Sequence, residues 1–312
     1  MMSIDKIQIL VIIVTYNAMQ WLKRCLDSLY TSSIIPDVFI VDNGSTDGTQ
    51  AYIREHYTQI IFQQSNSNLG FGKANNIGLQ YAIDNKYDYV YLMNQDAWVF
   101  PNTLEIMLSV SIHNPEYGIL SPMQYKADDR CLDEYFCRLI VTYNGYNYAF
   151  INDILANEIK TIYAVGFVMA AHWLISRECL LKIGGFSPTF PHYGEDDNYC
   201  DRARYGGYMI GIVPKAKAVH EGGSRFIDKK KRLYISNMGN RVIFSNPNTS
   251  FHKMLCRFIY SFIRNIVKYP SISHFYNLVS LFANMRMIRH NRVISMRDAT
   301  PFLLFKTDSH SE

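Results

Sequence analysis

The sequence lacks the cysteine patterns that indicate a structural metal site or a disulfide scaffold. Its six cysteines form neither a Cys-x-x-Cys pair nor the dense framework of a small secreted domain. Zinc-binding and disulfide-stabilised classes are therefore not indicated. Reduced thiols are the simpler interpretation, and they predict a cytoplasmic protein.

An apolar run long enough to cross a bilayer is missing as well. The first apolar run, Ile7 to Val14, is too short for a membrane span, follows a single lysine and lacks a small-residue cleavage site. It is interpreted as a buried strand, not as a signal or an anchor. The sequence also contains no repeat or low-complexity segment.

Net charge is low, since 31 lysines and arginines stand against 27 acidic residues, giving a formal charge of +4. A local basic cluster at Lys229 to Arg232 favours an anionic ligand or surface, and no nucleic-acid partner is predicted. The 312 residues are 48% hydrophobic, which is enough for one substantial core and a smaller extension.

The apolar runs that are present alternate with helix-period segments through the first third of the chain. Such runs are typical of parallel strands buried on both faces and joined by crossover helices. Four strands are predicted here, at "QILVIIV", "DVFIVD", "QIIFQQ" and "DYVYLMN". The predicted class is α/β, with a Rossmann-like, mostly parallel mixed sheet flanked by helices.

Further along, the pattern predicts one strand from Tyr163 to Ile175, a short helix, and a strand "YMIGIVP" that ends near His220. Residues 125–160 show no clear period and stay unassigned. After Arg225 the apolar residues recur at helical spacing, which predicts a helical C-terminal extension.

Polar residues follow three of the predicted strands at the point where each strand ends. They are Thr15-Tyr16-Asn17, then Asp42-Asn43, then Asn94-Gln95-Asp96. In open α/β sheets ligands bind beyond the carboxyl ends of the strands, so these residues are candidates for one site.

Two of these segments suit a nucleotide. Tyr16 could stack on a base, Asn17 offers an amide, and Asp42 could accept a hydrogen bond from the ring N–H of a pyrimidine. Gly70 and Gly72 permit close backbone approach before a predicted helix that begins with Lys73 and Asn75. An ordinary turn after each strand and a rim position for Tyr16 are the plainer alternatives.

Together these stretches resemble glycosyltransferase family 2, enzymes of the GT-A fold, and especially its rhamnosyl- and galactosyltransferase-like branch. The resemblance covers roughly Ile9 to Ser224. Its motifs, in chain order, are "VIIVTYN", "VDNGSTDGT", "NLGFGKANNIG", "LMNQDAWV", "GGFSPTFPHYGEDDNYCDRARYGGY" and "VHEGGS".

The resemblance implies a divalent cation, Mn²⁺ or Mg²⁺, held against the diphosphate of a nucleotide sugar. Asp96 matches the last acid of the family's Asp-x-Asp signature, Asn94 stands in place of the first acid, and His220 matches a further metal ligand of some relatives. The replacement at Asn94 predicts weak cation affinity without the nucleotide. Mixed imidazole and carboxylate ligands suit Mn²⁺ better than Mg²⁺, whereas a purely structural histidine is the alternative for His220.

The resemblance also places the catalytic pair at Glu195 and Asp196, with Asp196 as the general base for an acceptor hydroxyl. Neighbouring negative charge raises a carboxyl pKa and makes a better base near neutrality. Capping of a helix N-terminus by the acids at 195–197 is the alternative. Asn198 replaces an acid common in relatives and is expected to alter acceptor contacts.

The predicted function is therefore an inverting transfer of a hexosyl or deoxyhexosyl group from a UDP- or dTDP-sugar to a glycan or lipid-linked glycan, in polysaccharide or cell-envelope biosynthesis. Residues 1–225 are the predicted catalytic domain, with a nucleotide-binding half at about 1–100 and an acceptor half at about 101–225. Residues 226–312 are the extension, which either contacts the inner face of the membrane peripherally or caps the sheet. The predicted nucleotide-binding residues are Thr15, Tyr16, Asn17, Asp42, Asn43, Gly72, Lys73, Asn75 and Gln95.

Two rival classes remain. A nucleotidyltransferase needs an early glycine-rich basic loop, which the residues after the first strand do not supply. A non-catalytic nucleotide-sugar-binding protein of the same fold is favoured by Asn94 and Asn198, and opposed by the retained Asp96, Glu195, Asp196 and His220.

Overall fold

A nine-stranded mixed sheet flanked by helices organises the chain in the computed structural model, which describes residues 7–128, 130–140, 147–222 and 228–303. The strands are β1 (Ile9–Thr15), β2 (Asp37–Asp42), β3 (Ile61–Gln64), β4 (Tyr89–Asn94), β5 (Ala97–Val99), β6 (Tyr117–Tyr125), β7 (Tyr163–Val165), β8 (His172–Ser176) and β9 (Met209–His220). Their order across the sheet is β3-β2-β1-β4-β8-β6-β9-β5, with β7 beside β9.

Helices cover both faces of this sheet and form the C-terminal region. They are α1 (Leu22–Tyr30), α2 (Thr49–His56), α3 (Phe71–Asp84), α4 (Thr103–His113), α5 (Glu134–Arg138), α6 (Asn147–Ala156), α7 (Arg177–Ile183), α8 (Glu195–Tyr205), α9 (Lys229–Ser245), α10 (Phe251–Lys268), α11 (Ser273–Ala283) and α12 (Met285–Arg297). None of the described helices is both long and apolar enough to cross a membrane.

The first four strands are parallel neighbours, with β1 between β2 and β4 and β3 at the edge. Alternate side chains of β1 enter two different cores: Leu10 and Ile12 pack with α3, α7 and α8, whereas Val11 and Ile13 pack with α1 and α4. A strand covered on both faces needs apolar residues at every position, which explains the continuous run. The predicted α/β class is confirmed.

Beyond β4 the sheet becomes mixed. β8 is antiparallel to both β4 and β6, while β6 and β9 are parallel. The predicted single strand from Tyr163 to Ile175 is wrong, because this segment forms β7 against β9 and β8 against β4, with a buried connection between them. The connection carries the fully buried Val168, and an apolar run alone does not distinguish a strand from a buried linker.

A short strand that the sequence pattern does not predict lies directly after the Asp96 turn. β4 ends at Asn94, and β5 then pairs antiparallel with the end of β9, in a register that sets Ala97 opposite His220. The backbone N–H of Glu221 donates to the Asp96 carbonyl at 3.0 Å. The chain reversal at Gln95 and Asp96 is therefore fastened to the end of β9.

The C-terminal region is helical, as predicted. α9 to α12 enclose a small apolar cluster of Phe244, Met254, Phe258, Leu281 and Ile288. The previously unassigned segment contains α5 and α6. Arg225 and the predicted boundary after it lie outside the described residues.

Candidate active site

A cleft of about 610 Å³ lies beyond the carboxyl ends of β1, β2 and β4. This volume is in the range of sites that bind small molecules and cofactors. The structure brings five of the predicted residues together in its wall: Tyr16, Asn43, Asn94, Gln95 and Asp96. The remaining described lining residues come from the end of β1, the start of α3 and the loop before α8, and are Val14, Asn68, Leu69, Gly70, Phe71, Pro191 and His192.

Gln95 holds the backbone of Tyr16 by two hydrogen bonds. Its Oε1 accepts from the Tyr16 N–H at 2.7 Å, and its Nε2 donates to the Tyr16 carbonyl at 3.2 Å. The Tyr16 residue stays 47% exposed. An exposed ring on a fixed backbone can stack on a planar ligand at little conformational cost.

Asp42 lies beneath the cleft and is fully buried. Its Oδ1 accepts from the N–H groups of Gly44 and Ser45 and from the Gln50 amide, and its Oδ2 accepts from the hydroxyls of Thr15 and Ser45. With five donors already bound, the carboxylate has little capacity for a base. Asp42 and Thr15 therefore stabilise the loop above them, and neither residue is among those that line the cleft.

Asn17 also acts between loops. Its Oδ1 accepts from the Thr46 N–H at 2.8 Å, and its own N–H donates to the Ser45 hydroxyl at 2.9 Å. Its φ of +51° is in the left-handed region, which asparagine tolerates better than most residues. Asn17 joins the β1 and β2 loops and is not among the residues that line the cleft.

The start of α3 closes one side of the cleft by close backbone packing. Gly70 has a φ of +79°, and a Cβ placed there would lie 2.4 Å from the Pro191 carbonyl oxygen. A Cβ at Gly72 would lie 2.9 Å from the Cβ of Phe186 and 3.8 Å from that of Glu195. Glycine at both positions allows the helix to pack against the loop that leads to the acidic pair.

Two predicted residues of α3 lie away from the cleft wall. Asn75 is 1% exposed, and its amide donates to the Phe71 carbonyl one turn earlier at 2.9 Å. Lys73 is exposed and is not among the lining residues. Gly70 and Phe71 at this helix start line the cleft, whereas the side chains of Lys73 and Asn75 do not.

Asp96, which lines the cleft, lies next to His220, which is far away in sequence and is buried behind the lining residues without being one of them. The Asp96 Oδ1 lies 3.7 Å from the His220 Nε2, and the Asn94 amide nitrogen lies 3.3 Å from the same ring nitrogen. The His220 side chain is 4% exposed and that of Asp96 18%. The antiparallel pairing of β5 with β9 produces this juxtaposition.

These residues suit partial coordination of a divalent cation. A separation of 3.7 Å is too long for a good hydrogen bond, but it lets an oxygen and a nitrogen each reach one cation at about 2.1 Å. The described residues contain no group of three or more His, Cys, Asp or Glu side chains able to hold a metal. The protein therefore offers two strong ligands and one amide, and further oxygens would have to come from a ligand.

Asp133, which sequence reasoning missed, lies behind His220. Its Oδ2 is 4.0 Å from the His220 Nδ1, and its Oδ1 accepts from the Phe136 N–H at the start of α5. At 4.0 Å this carboxylate is too far for a hydrogen bond to the ring, so it places negative charge behind the imidazole without fixing its orientation. The N-cap pattern at Asp133 was the available signal, but it lies in the segment that showed no period.

Glu195 and Asp196 begin α8 beside the α3 side of the cleft. Glu195 is 6% exposed, and its Oε2 is buried without a hydrogen-bond partner among the described residues. Burial raises the pKa of the Glu195 carboxyl from 4.5 to about 8, and the charge of Asp196 adds to the rise. Asp196 is half-buried, and its Oδ1 accepts from the Asp197 N–H at 3.0 Å. Neither acid is among the residues that line the cleft.

Asn198 has a structural role that differs from the expected acceptor contact. Its amide donates to the Ser245 hydroxyl of α9 at 3.2 Å, and its carbonyl accepts from the Arg202 Nε at 3.1 Å. Arg202 also donates to the carbonyls of Ile183 and Gly185. The residue is 2% exposed and joins α8 to the C-terminal helices, and the acceptor expectation is corrected accordingly.

A mixed α/β sheet with a polar cleft at its carboxyl edge, an acid–imidazole pair and a nearby acidic helix start defines an α/β protein with a candidate ligand site. The family model for Glycosyl transferase family 2 matches residues 10–174. The chain belongs to this family and is a glycosyltransferase.

The relatives agree with this assignment. The chain is 26% identical over 233 residues to the N-acetylglucosaminyl-diphospho-decaprenol L-rhamnosyltransferase of Mycobacterium tuberculosis, covering 67% of this chain and 75% of that protein. It is 22% identical over 255 residues to the rhamnosyltransferase WbbL of Escherichia coli, covering 76% and 95%. The expected similarity to the rhamnosyltransferase-like branch is confirmed.

Solved structures show the same fold. TarS 1-349 from S. aureus superposes with a TM-score of 0.60 at 14% identity, covering 93% of this chain and 83% of that one. The mannosyltransferase PcManGT from Pyrobaculum calidifontis, solved with GDP-Man and Mn²⁺, gives 0.54 at 17% identity, covering 93% and 86%. The predicted GT-A fold is confirmed.

Proposed function

We propose that the protein moves a hexosyl or deoxyhexosyl group from a UDP- or dTDP-sugar to a hydroxyl of a glycan or lipid-linked glycan, with inversion at the anomeric carbon. The observation that supports this most directly is the convergence of Tyr16, Asn43 and Asp96 on one cleft, with the Glu195–Asp196 pair on the adjoining loop and helix. The names of two relatives, both rhamnosyltransferases, favour a deoxyhexose and a diphosphate-linked acceptor.

The donor nucleotide would occupy the cleft between the β1 and β4 loops. Tyr16 would stack on the base and Asn43 would supply the polar contact, since Asp42 is saturated and inaccessible below it. Thr15, Asp42 and Asn17 would hold the loops in shape. Gly70 and Gly72 would let the backbone at the start of α3 approach the diphosphate.

A divalent cation would be held by Asp96 and His220, with the amide of Asn94 beside them and the Asp133 carboxylate behind the imidazole. When bound, such a cation neutralises charge on the departing diphosphate. Because the protein supplies few ligands to the cation, we expect the nucleotide and the cation to bind cooperatively. We also expect Mn²⁺ to bind more tightly than Mg²⁺.

Asp196 would take the proton of the attacking hydroxyl. Glu195 is suited to a different task, because the raised pKa of its carboxyl keeps it protonated near neutrality. A neutral acid can both donate to and accept from a sugar hydroxyl, so Glu195 would orient the acceptor.

The test is Asp196→Asn, with Asp84→Asn as the matched control on an exposed aspartate at the end of α3, which does not line the cleft. Wild type is first screened with UDP-galactose, UDP-glucose and dTDP-rhamnose, using an N-acetylglucosaminyl-diphospho-prenol acceptor and Mn²⁺. Removing a general base costs about 10²- to 10⁴-fold in rate, whereas the control should keep its activity. Near-full transfer by Asp196→Asn would remove the residue from the base role.

The extension at 226–312 would bring the enzyme to an anionic membrane surface. Between Asp228 and Asp298 the sequence has thirteen lysines and arginines and no acidic residue. Exposed apolar residues recur at three- and four-residue spacing on α10 and α11: Leu255, Ile259, Ile263 and Ile266, then Phe275, Val279 and Phe282. Basic helices with an apolar stripe bind in the interface of anionic bilayers.

Vesicle flotation tests this contact. Wild type should float with vesicles that contain phosphatidylglycerol and stay in the soluble fraction with pure phosphatidylcholine. Ile259→Ser/Ile263→Ser should reduce flotation, whereas the same double change of the exposed Glu55 and Lys86 on the catalytic half should not. Equal recovery with both vesicle types at low protein binding would indicate a helical cap on the sheet instead.

A non-catalytic nucleotide-sugar-binding protein is the second candidate, favoured by the amide at Asn94. Donor binding without turnover of any donor, with or without acceptor, would support it.

A further inference from the structure

A group of aromatic rings adjoins the cleft where α9 crosses the start of α8. His192 lines the cleft, and its ring centroid lies 4.0 Å from that of Tyr193. Tyr193 meets Tyr234 of α9 at 6.3 Å, with ring planes at 69°. His192 and Tyr234 are exposed and Tyr193 is half-buried. The three rings thus extend the cleft wall towards the C-terminal helices.

The backbone under these rings is held in an uncommon conformation. Tyr193 has a φ of +66°, and Gly194 follows with +87°. A non-glycine residue in this region is strained, and such residues cluster at ligand sites, where the surrounding structure enforces them. The close approach of Gly70 to Pro191 fixes the same loop from the other side.

Buried polar atoms lie behind the rings. Tyr234, Asn237 and Arg241 are three and four residues apart and therefore share one face of α9. This face is turned to the loop before α8, because Arg241 donates to the Thr189 carbonyl at 3.0 Å. The Glu195 Oε2, Asn237 Oδ1 and Arg241 Nε are all buried without a hydrogen-bond partner among the described residues.

Such a concentration of unsatisfied groups calls for an explanation, since about 90% or more of buried polar groups in proteins are hydrogen-bonded. Amide, guanidinium and carboxyl groups are the side chains that bind sugar hydroxyls, and aromatic rings pack on the apolar C–H face of a pyranose. The Lys231 ammonium, 5.8 Å from the centre of the Tyr193 ring, adds positive charge at the edge.

We propose that His192, Tyr193 and Tyr234 form a platform for the acceptor sugar, and that Asn237 and Arg241 of α9 bind its hydroxyls. This inference rests on the proposed function and assigns acceptor recognition to the first helix of the C-terminal region. The platform adjoins Glu195 and Asp196 along the chain, so a sugar bound on it would lie beside the proposed base.

Saturation-transfer NMR with methyl N-acetyl-β-glucosaminide and methyl α-rhamnoside tests the platform, in the presence of diamagnetic Mg²⁺ and either UDP or dTDP. At least one glycoside should receive saturation from wild type and from Tyr234→Phe, which keeps the ring. Tyr234→Ala should lose about three- to tenfold of the signal, as expected for one aromatic contact. Tyr260→Ala is the matched control, because Tyr260 is an exposed tyrosine of α10.

A second measurement separates binding from folding. Tyr234→Ala should raise the KM for the acceptor while the KM for the donor and the slow acceptor-independent hydrolysis of the donor stay as in wild type. Equal saturation of Tyr234→Ala and wild type, or no saturation of either glycoside while the nucleotide binds, overturns the platform alone. Wild type that binds neither nucleotide overturns the proposed function and the platform with it.

Discussion

Replacement of Glu195 by glutamine removes one ionisable carboxyl group from the proposed site. Glutamine has nearly the same shape, so the packing against Gly72 and α9 is kept while ionisation is removed. In the folded protein, burial first and the charge of Asp196 second raise the pKa of the Glu195 carboxyl from 4.5 to about 8. The variant therefore tests whether this environment disfavours the charged form.

The direction of the effect follows from proton linkage. Below pH 4.5 the carboxyl is protonated in both the folded and the unfolded chain. Between pH 4.5 and 8 the folded protein keeps the proton and the unfolded chain releases it, so the free energy of unfolding falls by about 1.4 kcal/mol per pH unit. At pH 7 the free energy of unfolding of the wild type has fallen by about 3 kcal/mol. Glu195→Gln cannot ionise at this position, so it does not lose this stability.

Urea unfolding followed by far-ultraviolet circular dichroism measures this difference at pH 5, 6, 7 and 8. Glu195→Gln should match wild type within about 1 kcal/mol at pH 5 and exceed it by about 3 kcal/mol at pH 7. Glu55→Gln is the control, since Glu55 is an exposed carboxylate on α2, and its difference from wild type should stay near zero throughout. A stability difference between Glu195→Gln and wild type that does not change with pH would refute the reasoning.

The same variant distinguishes the two acids in transfer. If Glu195 is neutral at pH 7, glutamine keeps the capacity to donate and accept a hydrogen bond, and kcat should fall by less than about tenfold. Asp196→Asn should fall much further. Equal losses in the two variants would contradict the division of roles.

The remaining predictions concern the cation, the α8 support and the α3 packing. Asn94→Asp places a second carboxylate beside His220, so Mn²⁺ titrated calorimetrically into the UDP-bound protein should bind about tenfold more tightly; unchanged binding would place the cation elsewhere. Arg202→Met leaves two backbone carbonyls without donors and should reduce the free energy of unfolding by about 3 kcal/mol in urea, and a loss below 1 kcal/mol would contradict the assigned role. Gly70→Ala should weaken UDP binding, because its Cβ would lie 2.4 Å from the Pro191 carbonyl; wild-type affinity would show that the loop yields easily.

The elements that the sequence predicted well are those with a local signature. The four parallel strands β1 to β4 are continuous apolar runs because both faces are covered, and α3 follows from its spacing of apolar residues. The rule that ligands bind beyond the strand ends then selected Tyr16, Asn43 and Gln95, all of which line the cleft.

Side-chain direction at those same strand ends could not be predicted. Asp42 is the last residue of β2 and is buried beneath the loop, whereas Asn43, the first residue after the strand, lines the cleft. Asn75 looked equivalent to the lining residues but bonds its own helix. Within a run of polar residues, the backbone conformation of the loop decides which side chain faces a ligand. Amino-acid composition does not determine that conformation.

The proximity of Asp96 and His220 could not be predicted from the sequence. Asp96 lies in a two-residue reversal, and its distance from His220 is fixed by the antiparallel register that sets Ala97 opposite His220. A shift of one residue in that register would turn the histidine to the other face of the sheet. β5 has only three residues, too few for a periodic signature, so the pairing is determined by long-range contacts of β9 with β6. The same contacts bring Asp133, from a segment without a pattern, behind the imidazole. The geometry of the proposed cation site therefore depends on the pairing of β5, β6 and β9, although Asp96 itself follows β4.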